Sequence, residues 1–147
     1  MTIEVRRATA DEVRPLRMRV LRPTSPVVPS AYDANPAAIH VAALDGEVIV
    51  GCATVYPEPY DDEPRAWRLR GMAVEPAYQG TGVGRQVLVA SLDAVIEAGG
   101  PLLWATGRVS ALAFYERLGW RTVGEVFTYG PQALPHLVIV HDLPERG

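Results

Sequence analysis

Between an apolar strand pattern ending near Val74 and a helical pattern running to Gly99 stands Gln79-Gly-Thr-Gly-Val-Gly-Arg85. This turn constrains the chain most. Without Cβ atoms, Gly80, Gly82 and Gly84 let the backbone approach a ligand closely, and the first amides of the helix lack internal acceptors. Together they make an anion site, which the helix dipole favours by roughly 0.3–1 kcal/mol where exposed. A diphosphate is the natural guest. Arg85 occupies the place where a dinucleotide fingerprint needs glycine, and no Gly-Lys-Ser/Thr of a P-loop is present. Taken alone, the turn also reads as a glycine-rich connector with no ligand.

The rest of the chain supplies a sheet and helices around it. Ile3 and Val5 alternate with polar residues as a short strand. Thr9-Ala-Asp-Glu12 has capping-box spacing, and Val13, Leu16, Val20 and Leu21 form one helical stripe with Arg14, Arg17 and Arg22 outside it. Pro15 predicts an irregular first turn or a kink, because it removes one helical hydrogen bond. Pro23, Pro26, Pro29 and Pro36 mark a long loop. Ile39–Leu44 and Glu47–Tyr56 read as a hairpin about Asp45-Gly46, followed by an acidic, proline-rich stretch from Pro57 to Pro64. Trp67–Val74 is a further strand, and Val87, Leu88, Leu92, Val95 and Ile96 continue the helix after the turn. Pro101–Ala105 follows as a strand, Ser110 is placed to cap a helix ending at Gly119, and Trp120–Phe127 and His136–Leu143 close the chain as strands around Gly130-Pro131. This order predicts a single α/β domain over 1–147, one mixed β-sheet with helices on its faces.

Composition narrows the function classes. Apolar residues make up 48% of the 147, enough to bury a core, and the net charge of −3 gives no basic footprint for nucleic acid or an anionic membrane. The single cysteine, Cys52, lies in an apolar run and reads as a buried thiol, and no Cys/His spacing suggests a metal site. The first residues lack a signal-peptide pattern, and no apolar run reaches the roughly 18 residues of a membrane span. The expectation is a soluble, cytoplasmic protein.

Beyond the turn stands Ala111-Leu-Ala-Phe-Tyr115-Glu-Arg-Leu-Gly-Trp120, and before it Leu69-Arg-Gly-Met-Ala-Val-Glu-Pro76. With Gln79-x-x-Gly82-x-Gly84, these segments resemble the GCN5-related N-acetyltransferase (GNAT) superfamily, specifically from Leu69 to Trp120 and loosely elsewhere. The resemblance implies acetyl-CoA as cosubstrate, lying between two splayed parallel strands, Trp67–Val74 and Pro101–Ala105. The pantetheine arm and thioester would meet Met72, Ala73 and Val74, and a main-chain N–H near Val74 would hold the developing oxyanion. The pyrophosphate would rest on Gln79, Gly80, Thr81, Gly82, Val83, Gly84 and Arg85. Thr106 and Ala111 would also meet the cofactor, although Thr106 stands where many relatives have Asn. Tyr115 matches the family's frequent general acid, which protonates the departing thiolate; packing against the cofactor or core is its alternative reading. Members of this family often dimerise, partly through the final strands.

The residues that handle the acceptor are less defined. Glu58, Asp61, Asp62, Glu63, His40 and His136 are the candidate bases, and each taken singly also reads as a solvated charge or a satisfied histidine. The acidic loop makes a negative rim suited to a cationic amine. Arg17 or Arg22 would hold an acceptor carboxylate by a bidentate fork, unless both are ordinary helix-surface arginines. The leading expectation is acetyl transfer to the amine of a small molecule by direct attack, without a covalent enzyme intermediate. A non-catalytic acyl-CoA sensor or scaffold and a protein lysine or N-terminal acetyltransferase are the competing readings.

Overall fold

The structure is a computed structural model that describes residues 2–130 and 132–144. Seven strands form one sheet in the order β1-β2-β3-β4-β5-β7-β6. They are β1 (Ile3–Ala8), β2 (Ile39–Asp45), β3 (Val48–Pro57), β4 (Trp67–Val74), β5 (Leu102–Arg108), β6 (Arg121–Tyr129) and β7 (Leu134–Asp142). Only the β4–β5 pair is parallel. The helices are α1 (Ala10–Leu21), α2 (Val83–Glu97) and α3 (Leu112–Arg117). The mixed sheet expected from the order of patterns is therefore present, and the Asp45-Gly46 hairpin joins β2 to β3, with Gly46 at φ +63°. The turn expected at Gly130-Pro131 lies partly outside the described residues.

Helices cover both faces. On one side, Val13 and Leu16 of α1 pack on Ala42, Leu44, Cys52 and Ala73. On the other, Val83, Val87, Leu88, Leu92 and Val95 of α2 meet Ala53, Val55, Leu69, Leu103 and Ile139. Full burial of each large aliphatic side chain contributes about 1.5–3 kcal/mol. Gly51 is needed for this contact, since a Cβ there would lie 2.7 Å from a Val83 methyl. At its far end α2 closes in a Schellman motif, with Gly99 at φ +86°, Gly99 N donating to Ile96 O (3.0 Å) and Gly100 N to Val95 O (2.9 Å).

The N-terminal helix begins as its sequence indicates. Thr9 Oγ1 accepts from Glu12 N (3.2 Å) and the Glu12 carboxylate accepts from Thr9 N (3.0 Å). The helix runs unbroken through Pro15. Its arginines correct the sequence reading. Arg17 is not on the surface: it is 2% exposed and donates to Asp33 (2.8 Å) and Thr54 (2.9 Å), with its guanidinium 5.0 Å from the Tyr32 ring centroid. Arg14 approaches the same Asp33 carboxylate at 3.6 Å. The proline-rich segment is thereby tied to α1 and to β3. The short helix expected to be capped by Ser110 starts instead from a 3-10 turn, Val109–Ala111, with no side-chain cap.

Burial raises the Asp33 carboxyl's proton affinity, but the Arg17 hydrogen bond and charge and the Ser30 amide outweigh it, leaving its pKa below the ordinary value. A carboxylate with a depressed folded-state pKa stabilises the fold above its unfolded value near 4, and loses that contribution as pH falls through the folded one. Asp33→Ala strands buried guanidinium charge and is expected to cost about 3 kcal/mol in chemical denaturation at neutral pH. Asp142→Ala, which breaks the exposed pair with Arg121, is expected to cost less than about 1 kcal/mol in the same assay.

Candidate active site

The parallel pair β4–β5 stays in register only at Trp67↔Leu103 and Arg68↔Trp104. Beyond it the strands part. On its other edge β4 keeps pairing with β3 to Gly51↔Val74, through an irregularity between Cys52 and Thr54 that leaves Gly71 and Met72 opposite Ala53. Gly71 makes this bulge with φ +64°, and a Cβ there would stand 2.7 Å from the Tyr32 hydroxyl and 2.8 Å from Arg17 Nε. The result is a strand whose last residues present unpaired backbone on the β5 side.

A cleft of about 1320 Å³ follows this parting, from the start of α2 across the ends of β4 and β5 to the β6–β7 turn. Met72, Ala73 and Val74 line one side, Thr106 and Ala111 the other, and Gly80, Gly82, Gly84 and Arg85 close one end. Gln79 lines it as well, but its amide already donates to Pro76 O (3.3 Å). Thr81 and Val83 do not line it. The Thr81 amide and hydroxyl are both spent on Tyr78 O, and the Val83 side chain is fully buried in the core.

The glycine-rich turn has the form its sequence suggests. Gly80 and Gly82 have φ of +80° and +92°, and nothing lies within 4 Å of a Cβ built on either. The first backbone bond within α2 is Gln86 N to Gly82 O (3.1 Å). The amides of Gly80, Gly82, Val83, Gly84 and Arg85 therefore have no backbone acceptor among the described residues. Unpaired N–H groups at a helix start, with open space where the side chains of Gly80 and Gly82 would be, suit a diphosphate. The unpaired edge of β4 likewise suits the amides of a pantetheine arm. At Gly84 a Cβ would make ordinary contacts of 3.5–3.7 Å with Val74, Met72 and Phe114, so packing does not demand glycine there.

Tyr115 stands on α3 with its hydroxyl 3.7 Å from the Met72 sulfur, and its ring lies edge-on to Phe114 (5.3 Å) and Trp120 (5.4 Å). Burial pushes its phenol up to about 12, so it is a protonated donor at neutral pH. Trp120 closes this aromatic cluster at 4% exposed.

The candidate bases separate clearly. Glu58 is held by Arg68 (2.8 Å), whose guanidinium lies 4.4 Å from the Trp104 ring centroid. Neither Glu58 nor Asp61, Asp62 and Glu63 lines the cleft, so the acidic loop is no rim to it. His40 is buried against Thr54 Oγ1 (2.7 Å), also away from the cleft, and burial lowers its pKa. His136 does line it. Its Nδ1 is 2.7 Å from Leu134 O; because a carbonyl only accepts, Nδ1 carries the proton and Nε2 keeps its lone pair in the neutral ring. Cys52 is fully buried, with its thiol pushed up to about 11 by burial, and it is absent from the cleft wall.

The arginines proposed for the acceptor also divide. Arg22 is exposed at the cleft edge, while Arg17 is already committed to Asp33. Sequence reading passed over Arg70, Tyr32 and Tyr129, which line the same end as His136. Arg70 lies in the strand Trp67–Val74, but the loop tyrosine that meets it, Tyr32, is distant in sequence. Among the described residues, no group of three or more His, Cys, Asp or Glu is arranged to hold a metal ion, and no helix is long and apolar enough to cross a membrane.

Known proteins share this sequence pattern and fold. Residues 8–120 match the model of the Acetyltransferase (GNAT) family. The chain is 26% identical over 129 residues to the uncharacterized N-acetyltransferase YitI of Bacillus subtilis, covering 85% of this chain and 87% of that one. It is 31% identical over 121 residues to the N-alpha-acetyltransferase RimI of Mycobacterium tuberculosis, covering 80% and 76%. Its fold is shared with yncA, a putative acetyltransferase of Salmonella typhimurium solved with acetyl-CoA, at a TM-score of 0.78, 18% identity and coverage of 100% and 97%. The chain is thus an acetyl-CoA-dependent N-acetyltransferase and belongs to the GNAT family.

Proposed function

We propose that this acetyltransferase modifies the amine of a small molecule, with Tyr115 and His136 acting on opposite sides of the reacting centre. The observation that carries the reading is the charge of the cleft. Arg22, Arg70, Arg85, Arg108 and Arg117 line its wall with no ion pair among the described residues, while Arg17 is paired with Asp33 and Arg19 with Glu75, the one acidic lining residue among those described. Such a field repels a lysine side chain or a basic peptide, and the acidic loop that would have attracted one lies elsewhere. This favours a small acceptor over a protein one.

Bound acetyl-CoA supplies the activated acyl group. The amides of Gly80, Gly82, Val83, Gly84 and Arg85 hold its diphosphate, and the β4 segment Met72–Val74 holds the pantetheine arm, with a main-chain N–H near Val74 polarising the carbonyl. Thr106 and Ala111 border the arm from β5 and the start of α3. The acceptor amine must lose a proton as its nitrogen forms the amide bond, and His136 Nε2 takes it, directly or through one water. As the carbon–sulfur bond breaks, Tyr115 donates its phenolic proton to the sulfur and recovers one through solvent. The products are the N-acetylated acceptor and CoA thiol. Dry surroundings that weaken the Tyr115 acid also raise the proton affinity of a thiolate beside it, so the two stay comparable.

Calorimetric titration with acetyl-CoA, with desulfo-CoA and ATP as controls, tests the cofactor site. Selective binding of the first two is expected, and a folded protein that binds neither refutes it. Gly82→Glu sets a carboxylate in the diphosphate cradle and is expected to weaken acetyl-CoA binding by at least about tenfold while the far-ultraviolet spectrum is kept. His136→Gln and Tyr115→Phe are each expected to lower kcat by roughly 10²-fold, leaving acetyl-CoA affinity near wild type. Unchanged turnover in either variant removes that residue from the chemistry. Asp61→Asn with Asp62→Asn is expected to leave turnover within about twofold, as for surface charges remote from a site.

A further inference from the structure

The partly buried arginines around the acceptor end nearly all have a carboxylate of their own. Asp33 takes Arg17 at 2.8 Å and Arg14 at 3.6 Å, and Glu58 takes Arg68 at 2.8 Å. Arg70 is the exception. It is half-buried in the cleft wall and forms no ion pair among the described residues. Its guanidinium lies 5.0 Å from the Tyr32 ring centroid, and its other polar neighbours are the phenols of Tyr56 and Tyr129. Tyr32 is itself fixed, stacked on Tyr56 at 5.3 Å with the rings 5° from parallel.

An arginine so placed is rigid, only partly hydrated and without a counter-charge. Removing a guanidinium from water without an anion is unfavourable, and a planar carboxylate meets its fork with two parallel N–H···O bonds. The position matters as much as the charge. Arg70 precedes the Gly71 bulge and stands two residues before Met72 on the same strand. Tyr129, another neighbour of Arg70, packs against His136 at 5.3 Å. A molecule anchored on Arg70 therefore lies beside both the thioester contacts and the proton acceptor.

We propose that Arg70, framed by Tyr32 and Tyr129, is a carboxylate-binding subsite, and that the acceptor is a small amine that also carries a carboxylate. This rests on the reading of the cleft as the site of acetyl transfer. It also moves the acceptor anchor from Arg17, which Asp33 already neutralises, to the neighbouring guanidinium that has no anion.

The test uses the full chain with saturating acetyl-CoA. The common α-amino acids and β-alanine are each assayed beside their carboxamides, reading thiol release, and their binding is measured by calorimetry with desulfo-CoA present. Binding or turnover is expected for carboxylated amines, with the matched amides at least about tenfold weaker, as befits loss of a charged hydrogen-bond pair. Arg70→Gln is expected to lower kcat/KM for the carboxylated acceptor by roughly 10–100-fold, and Arg70→Lys by less, since lysine keeps the charge without the fork. Acetyl-CoA affinity, measured separately, is expected to stay near wild type in both. The proposal is overturned if amides match acids, if Arg70→Gln leaves acceptor kinetics unchanged, or if the protein binds acetyl-CoA yet neither binds nor acetylates any carboxylated amine. Failure of the wild-type protein to bind acetyl-CoA overturns instead the acetyl-transfer reading beneath it.

Discussion

Two parallel strands cannot both continue their ladder and admit a ligand between them. In this protein the conflict is resolved within β4, which holds β5 through Trp67 and Arg68 and then turns its hydrogen bonding wholly toward β3. The bulge at Gly71 changes the register at that point. Backbone groups on the free edge need partners, and the gap supplies room for them. The other parts of the candidate site are arranged around this opening: the start of α2 at one end, α3 with Tyr115 alongside, and the first residues of β7 with His136 at the other.

The opening has a structural cost, and buried polar chemistry offsets part of it. The proline-rich segment folds against Gly71 of β4 through Tyr32, and Arg17 fastens it through Asp33, Thr54 and Tyr32. Gly71 exists because the Tyr32 hydroxyl and Arg17 occupy the space of its missing Cβ. One cluster therefore sets both the bulge that parts the strands and the wall that faces the acceptor. Arg70 lies against the same tyrosine, its guanidinium also 5.0 Å from the ring centroid.

Much of this was legible in the sequence where the signal is local. The Thr9–Glu12 capping box, the Asp45-Gly46 hairpin, the amphipathic spacing of α2 and the glycines of the turn each act within a few residues, so pattern and geometry coincide. Pairings across long separations were not. Arg17 looked like a surface arginine because nothing near it announces Asp33 or Thr54, and the acidic loop looked like a rim because its distance from the cleft depends on the packing of Glu58 against Arg68 and Trp104. His136 emerged from several equal candidates only once the sheet order set β7 beside β5. Thr81 shows a finer limit: it lies inside the recognised motif, yet its amide is consumed by Tyr78.

The cradle at the start of α2 is built from main-chain amides, and this distributes mutational tolerance unevenly along the motif. Every residue but proline carries the same N–H, so Arg85 and the exposed face of the first helical turn can vary without dismantling the contact. Gly80 and Gly82 are more restricted, because their φ values of +80° and +92° are ones that residues with side chains rarely adopt. A lineage carrying this fold is consequently free to recolour the surface charge around its cofactor and to rebuild the opposite end of the cleft for new acceptors, while two glycines hold still.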